Sequence, residues 1–422
     1  MFRAPRGTQD VVPDDVPYWS YVEDLARQFA ILYGYREIRT PTFEETSLFR
    51  RGAGEVTDVV EKEMYSFLDK GGNDVTLRAE GTAPLMRAYL EHGMHTLPQP
   101  VRLFSIISVF RYDRPQAGRY REHHQFDCEA IGDEDPALDA EVITLLWRFY
   151  GALGLKDLTI QLNSIGDPNC RPAYIERLRS YYEPQAEQLC GDCRRRLSTN
   201  PLRLLDCKVP TCQPIAERAP SFVESLCEPC REHFAFVQRA LDAEDIPVVL
   251  NHRLVRGFDY YTRTVFEVWP REVGGQSSLG GGGRYDGLAE QLGGRHVPGV
   301  GFGTGIERLI LNLRQQDVYV PSSPRPEAYV AALSDSGRDA ASAFAGQLRA
   351  QGVPAILGVG QRSIRARLRH ADAAGVRWTV LFGDDEVRED KVSLRDMEAS
   401  SPELLSVPAA LEQVISARER KK

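Results

Sequence analysis

Residues 101–112, Val-Arg-Leu-Phe-Ser-Ile-Ile-Ser-Val-Phe-Arg-Tyr, are rich in β-branched and aromatic side chains and read as one long strand. Residues 124–131 read as its antiparallel partner across a loop from Arg114 to Arg121. Working outward, Tyr18, Val22, Leu25, Phe29 and Leu32 recur at helical spacing, which predicts a helix over 16–33 ended by Gly34. Short β segments follow at 35–40, 64–68 and 75–78, the last two joined by a turn at 70–73. A helix starts after Thr82, with Pro84 tolerated in its first turn. Residues 136–153 read as a helix and 158–163 as a strand. Strands that double back among helices predict an antiparallel α+β domain.

From 167 to 245 the strand signals vanish, cysteines accumulate and the chain reads as helices joined by irregular turns, hence an insertion. It divides the first domain into 1–166 and 246–319. Strand patterns return at Val248, 264–268 and 277–280, followed by Gly-rich turns and a helix beginning near Arg284. The run 299–305, Gly-Val-Gly-Phe-Gly-Thr-Gly, leads into a helix over 306–314. Residues 320–326, Val-Pro-Ser-Ser-Pro-Arg-Pro, form a linker. Beyond it, over 327–422, strands at 328–333, 354–357 and 378–382 alternate with helices at 336–350 and 363–374, which predicts a small α/β domain with a largely parallel sheet.

The length of 422 residues suits two or three domains. Lys and Arg total 52 against 60 Asp and Glu, a net charge of −8, which argues against a protein that coats nucleic acid by bulk charge. No apolar run of ~20 residues predicts a membrane span, and the N-terminal residues lack the apolar core of a secretory signal. A cytoplasmic protein is expected, with its cysteines reduced or metal-bound.

The glycine-rich runs prompt a nucleotide test. Neither 280–287 nor 299–305 fits G-x-G-x-x-G, and no P-loop exists, so a Rossmann dehydrogenase and a P-loop NTPase are disfavoured. Turns and close backbone packing account for most of these glycines. More specific is a set of arginines in β-rich, Gly-bearing contexts: Arg111, Arg119 with Arg121, Arg256 and Arg308. A planar guanidinium suits bidentate phosphate and carboxylate recognition. A surface salt bridge would explain any one of them; the set points to a polyphosphate site.

Arg111 and its loop resemble motif 2 of class II aminoacyl-tRNA synthetases, and the run ending Gly-Ile-Glu-Arg-Leu309 resembles motif 3. The segment 35–41, with its proline, is similar to motif 1. The blocks Arg78-Ala-Glu-Gly-Thr-Ala-Pro, Leu254-Val-Arg-Gly-Phe-Asp-Tyr-Tyr-Thr and Gly281-Gly-Gly-Arg-Tyr-Asp-Gly resemble signatures of the histidyl-tRNA synthetase family. The resemblance spans nearly the whole chain. It implies a class II catalytic domain with an antiparallel sheet, motifs 1 and 2 in its first part and motif 3 in its second, plus a C-terminal anticodon-binding domain. It implies a homodimer formed through motif 1. The implied reaction joins L-histidine to tRNA(His) through histidyl-adenylate, with ATP and Mg²⁺.

Carried over by motif, Arg111 and Arg256 would act on the α-phosphate and the substrate carboxylate. Arg308 would stack on adenine and reach the γ-phosphate. Arg119 and Arg121 would assist from the loop. Glu80, Gly81, Thr82 and Gln125 would take the histidine α-amino end. Glu129 and Tyr261 would read the imidazole, and Tyr260 lies beside them with strand packing as its alternative. Two positions depart from the family's pattern: Asp113 stands where motif 2 usually has Glu, and His123 where relatives often carry an adenine-stacking Phe. Both belong to the implied ATP contacts.

Arg362, Arg365, Arg367 and Arg369 gather on one helix, with Arg365 and Arg369 on one face. The resemblance makes Arg362, Arg365 and Arg369 candidate tRNA contacts; a salt-bridged surface is the alternative. Cys190-x-x-Cys193 and Cys227-x-x-Cys230 have the spacing of a structural zinc site, with Cys207 and Cys212 between them. The family does not generally depend on a metal here, so buried or surface thiols are the expectation, with no metal ligand assigned, and a four-cysteine zinc site is the alternative. Two rival functions remain. One is a non-catalytic regulatory subunit of ATP phosphoribosyltransferase, a paralogue that typically lacks the Arg-Gly-x-Asp-Tyr-Tyr block. The other is an RNA-binding zinc module.

Overall fold

The computed structural model describes residues 2–54, 57, 59–114, 118–270, 278–399 and 401–419. Residues 115–117 of the expected loop and Ser277 of the expected strand lie outside them. The chain divides into two compact units, Met1–Pro321 and Ser322–Lys422.

The first unit is built on an eight-stranded sheet and a three-stranded one. In chain order the strands are β1 (Arg36–Glu37), β2 (Phe43–Glu45), β3 (Tyr65–Leu68), β4 (Asp74–Leu77), β5 (Val101–Phe110), β6 (Glu122–Ile131), β7 (Leu158–Ser164), β8 (Val248–Leu250), β9 (Thr262–Pro270), β10 (Gly280–Arg284) and β11 (Gly299–Gly305). The large sheet runs β1-β5-β6-β11-β10-β9-β7-β8, antiparallel except at its two edges, β1 on β5 and β8 on β7. The small sheet runs β2-β4-β3.

Two glycine runs read as turns are central strands. Along β11 the glycines alternate with Val300, Phe302 and Thr304, a period of two that sends glycine to one face and larger groups to the other. Gly301 pairs with Glu129, Gly303 with Asp127 and Gly305 with Gln125. A Cβ at Gly301 would sit 1.7 Å from Glu129 Oε2 and 2.5 Å from the Cys128 carbonyl oxygen, and one at Gly303 2.6 Å from Asp127 Oδ1. Glycine is therefore required to hollow this face. On the opposite face, Phe302 meets Phe126 at 5.5 Å and Thr304 hydrogen-bonds Tyr150 at 2.7 Å.

That opposite face is covered by the helix Pro136–Ala152, whose Asp135 caps it by accepting from the Ala137 N–H at 2.9 Å. Helices Val16–Leu32 and Ile306–Gln315 pack alongside. Arg284, at the end of β10, is fully buried against Asp139 of the covering helix, and His233 of helix Glu228–Ala243 reaches Asp139 at 3.0 Å. This network ties the insertion to the sheet. Burial opposes ionisation of Asp139, but the Arg284 and His233 partners win and hold its carboxyl down to about 2. Removing one partner from such a buried pair costs ~3–5 kcal/mol. Residues 167–245 are short helices joined by turns, with no strand among them, and they share the core of the large sheet.

The second unit has a five-stranded sheet ordered β13-β12-β14-β15-β16, with β12 (Ala328–Ala332), β13 (Ala355–Gly358), β14 (Trp378–Phe382), β15 (Lys391–Asp396) and β16 (Glu403–Ser406). The first three are parallel. The last two, unread in the sequence, extend the sheet antiparallel, with Val392 and Leu394 buried at alternate positions. Helices Gly337–Ala350, Ile364–Ala373 and Val407–Glu419 accompany it.

Candidate active site

The hollowed face of the large sheet is the floor of a cavity of about 550 Å³, within the ~300–1,000 Å³ of ordinary ligand pockets. Glu80, Gly81, Thr82, Arg111, Asp113, Arg119, His123, Gln125, Arg256, Tyr260, Tyr261 and Arg308 all line it. They come from β6, β9's approach, the loops around them and the helices starting at Thr82 and Ile306. Glu80 and Arg308, 228 positions apart in the chain, thus share one recess.

One end of the cavity is acidic. Glu80 accepts from the Thr82 and Ala83 N–H groups at 2.8 and 2.7 Å, capping the helix Thr82–Glu91, and Tyr260 donates to it at 3.3 Å. Glu129 lies behind the lining, fully buried, accepting from Thr82 Oγ1 at 2.7 Å and Tyr285 at 2.5 Å. Between them stands Asp127, unread in the sequence, with a buried Oδ2 that has no hydrogen-bond partner among the described residues. Gln125, Asp127 and Glu129 alternate along β6, so all three face the cavity side. Burial pushes the Asp127 carboxyl up to about 8; the Glu80 charge adds to the rise, and Arg78 and Arg111 oppose it. Burial also raises Glu80, and it lifts Glu129 well above the usual carboxylate range. Three crowded carboxyls with raised proton affinity form a site for a cationic ligand.

The other end is basic. Arg111 donates its Nε to the Ala79 carbonyl at 2.7 Å and lies 5.5 Å from the Phe258 ring. Arg256 is ion-paired with Glu267, donates to the Gly281 carbonyl at 3.3 Å, and keeps a buried Nε without a partner. Arg308 donates to the carbonyls of Gly118 and Ser278 at 3.0 and 2.5 Å. Arg119 pairs with Asp113 at 3.1 Å. Burial lowers the Arg308 pKa, and the charges of Arg119 and Arg111 lower it further against the opposing pull of Glu267. His123 sits between the arginines; burial pushes its imidazole down to about 3, with Arg111 and Arg308 adding to the drop, so the ring is neutral. A neutral ring can stack where a cation would be repelled.

Arg121 is not among the lining residues. Its guanidinium lies 3.8 Å from the Tyr112 ring, and its side chain packs on Gly7. Beyond Asp127, sequence reading also missed Glu267, which holds Arg256, and Glu307, which accepts from the His124 backbone N–H at 3.0 Å. The insertion supplies Arg203 and Asp206 to the wall.

In the second unit, Arg362, Arg365 and Arg369 are exposed on or just before the helix Ile364–Ala373. Arg367 is buried and donates to the Gly358 and Gly360 carbonyls at 3.1 and 2.7 Å, so it braces the β13 turn. The two Cys-x-x-Cys pairs do not meet. Cys190 and Cys193 gather with Cys207 and Cys212, whereas Cys227 and Cys230 gather with Asp167 and Cys170.

The antiparallel sheet, with an arginine on the strand-loop after β5 and another opening the helix after β11, defines the catalytic fold of a class II aminoacyl-tRNA synthetase. Residues 7–169 and 215–309 match the family model "Histidyl-tRNA synthetase", and residues 327–417 match "Anticodon binding domain". The chain is 52% identical over 398 residues to a histidine–tRNA ligase of Dehalococcoides mccartyi, covering 94% of this chain and 95% of that one. It is 49% identical to the histidine–tRNA ligase of Desulforudis audaxviator, covering 98% of each. The crystal structure of apo S. aureus histidyl-tRNA synthetase superposes with a TM-score of 0.82 at 36% identity, over 98% of this chain and 100% of that one. The chain belongs to the histidyl-tRNA synthetase family.

Proposed function

We propose that this protein joins L-histidine to tRNA(His) at the expense of ATP. A histidine carboxylate oxygen attacks the α-phosphorus, the bond to the bridging oxygen breaks, and pyrophosphate leaves with its electron pair. The terminal ribose hydroxyl of the tRNA then attacks the histidyl carbonyl, and AMP leaves. The observation that carries this reading is the opposed charge of one cavity: buried carboxyls for the ammonium and imidazole at one end, arginines for phosphate at the other.

Arg111 and Arg256, on the side of the basic end nearest Glu80 and Tyr261, would hold both the histidine carboxylate and the α-phosphate. Charge grows on the α-phosphate oxygens during attack, so fixed cations there lower the barrier without a protein nucleophile. Gln125, Glu80 and Thr82 would bind the amino end, with Glu129 and Tyr261 reading the ring and Tyr260 orienting Glu80. A site that pairs both ring nitrogens rejects isosteres, because they would strand buried polar groups. Arg308 and His123 would hold adenine, with Asp113 and Arg119 at the phosphate mouth. Nucleotide would enter with Mg²⁺, for which Glu267 and Glu307, both lining the cavity, would be hard oxygen donors.

In this reading residues 1–166 and 246–319 form the catalytic domain, 167–245 the insertion, 320–326 the linker and 327–422 the anticodon-binding domain, whose Arg362, Arg365 and Arg369 meet RNA. The protein works as a cytoplasmic homodimer; no helix among the described residues is long and apolar enough to cross a membrane. Phe43 and Phe67, 55% and 48% exposed on one face of the small sheet beside motif 1, support such an interface. Histidine-dependent, Mg²⁺-dependent exchange of pyrophosphate into ATP is the expected activity. A chain with no such exchange would be the regulatory-subunit paralogue instead.

A further inference from the structure

Seven of the eight cysteines, all but Cys128, converge in two separate tetrads within the insertion. In the first, the Sγ atoms of Cys190, Cys193, Cys207 and Cys212 all lie within 4.8 Å of one another, with Cys190 and Cys207 3.9 Å apart. Four sulfurs around a tetrahedral zinc, at ~2.3 Å each, stand about 3.8 Å from one another. The Cys193 N–H points at Cys190 Sγ at 3.5 Å, and the Cys190 N–H at Cys212 Sγ at 3.2 Å. Such amide donors stabilise thiolate rather than thiol.

The second tetrad is Asp167, Cys170, Cys227 and Cys230, its ligand atoms again within 4.8 Å. Asp167 Oδ1 lies 3.4 Å from Cys170 Sγ and 3.8 Å from Cys227 Sγ. The two Cys-x-x-Cys turns are built alike. Cys190 and Cys227 each precede a helix, and each has φ −65° and ψ 163°. Both pairs therefore present their sulfurs at a helix start, where the dipole favours negative charge.

Buried thiols used only as small apolar groups need no common focus and no repeated turn. Disulfides would need sulfurs ~2.05 Å apart, and all eight cysteines are free. We propose that the insertion binds two zinc ions, one through Cys190, Cys193, Cys207 and Cys212, the other through Asp167, Cys170, Cys227 and Cys230. Tetrahedral, thiolate-rich donor sets select zinc among the divalent metals. With all four positions taken by protein, these are structural sites that open no coordination position to substrate.

The first ion would clip together the segment that forms one wall of the cavity. Between its ligands, Asn200 donates to Asp259 at 2.9 Å and Arg203 to the Arg256 carbonyl at 3.2 Å, while Arg203 and Asp206 line the recess. Those four cysteines lie in 170–214, the stretch between the two matched parts of the family model.

The test is elemental analysis of the full chain, expressed with added zinc and purified without chelator. About two zinc per chain are expected, released when a mercurial titrates the thiols, which needs no mutation. Cys207→Ser and Cys227→Ser should each lose one ion, and the double variant both. Cobalt reconstitution should give thiolate-to-cobalt absorption. Negligible zinc in the wild type, with no cobalt band, overturns the proposal, as does iron in place of zinc. One ion lost with Cys207→Ser and kept with Cys227→Ser overturns the aspartate site and sustains the four-cysteine one.

Discussion

The two ends of the cavity solve opposite problems. At the acidic end, Glu80, Asp127 and Glu129 are buried, and their carboxyls are pushed toward the neutral form by burial and by one another. At the basic end, Arg111 and Arg308 are anchored by backbone carbonyls and repel each other across a more open mouth. Each end is costly in the ligand-free protein and is relieved by a ligand of the opposite sign. Preorganised charge of this kind is stored by the scaffold and used on binding. In the proposed reading histidine, cationic at one side and anionic at its carboxylate, would bridge the two.

Arg256 sits where the ends meet, so its loss tests the comparison most severely. Arg256→Ala is expected to lower the pyrophosphate-exchange rate by ~10²–10³, the scale for deleting one preorganised donor. A rate equal to wild type would remove Arg256 from the reaction. Glu129→Gln addresses the acidic end alone. It keeps an acceptor for Thr82 and Tyr285 but cannot ionise when a cationic ligand binds, and a hydrogen bond to a charged group is worth ~1.5–3 kcal/mol. The KM for histidine should rise by ~10–10²-fold with the KM for ATP unchanged. Equal rises in both would show that the ends are not separate.

Asp127 gives a pH signature. An unfolded aspartate titrates near ~3.9, and the folded one near about 8. The folded state therefore holds a proton the unfolded chain has lost, and this group's contribution to stability falls as pH rises from ~4 to about 8. A cationic ligand needs the ionised form, so binding histidine below that pH expels a proton. Histidine affinity should climb with pH up to about 8, by at most ~10-fold per unit, and Asp127→Asn should flatten the climb. Calorimetry in two buffers of different ionisation heat measures the proton directly; identical heats would sink the assignment.

Asp127 also shows where the sequence stops being readable. Strand β5, the covering helix and the helix at Val16 carry their periodicity in apolar side chains, and their ends fall within a few residues of the expected ones. Strands β10 and β11 carry theirs in glycine, whose β-propensity is poor and whose usual use is turns. Their alternation has meaning only once Gly301 and Gly303 are seen opposite Glu129 and Asp127. The site arginines were legible because their neighbours are unusual. Glu267 was not, because a single Glu in a strand says nothing until Arg256 lies against it. The cysteines show the same limit: spacing identifies each Cys-x-x-Cys turn, but only the fold decides that each pair finds a different partner.

The exposed arginines of the second unit provide the smallest expected effect and a control for the rest. Arg365 and Arg369 lie on a solvent-facing helix surface, so in the proposed role each would contribute to RNA binding through screened charge and a single hydrogen bond. Alanine at either should raise the KM for tRNA by ~2–10-fold, from ~0.5–1.5 kcal/mol per contact. It should also make tRNA binding less salt-dependent, by about one unit of log–log slope. Pyrophosphate exchange, which needs no tRNA, should be untouched. Arg367→Ala must behave differently, because that guanidinium is spent on the Gly358 and Gly360 carbonyls. It should lower the thermal stability of the second unit. If Arg365→Ala instead lowers pyrophosphate exchange, the helix does more than hold RNA, and the separation between a charged cavity built by the fold and a charged face read from local sequence fails.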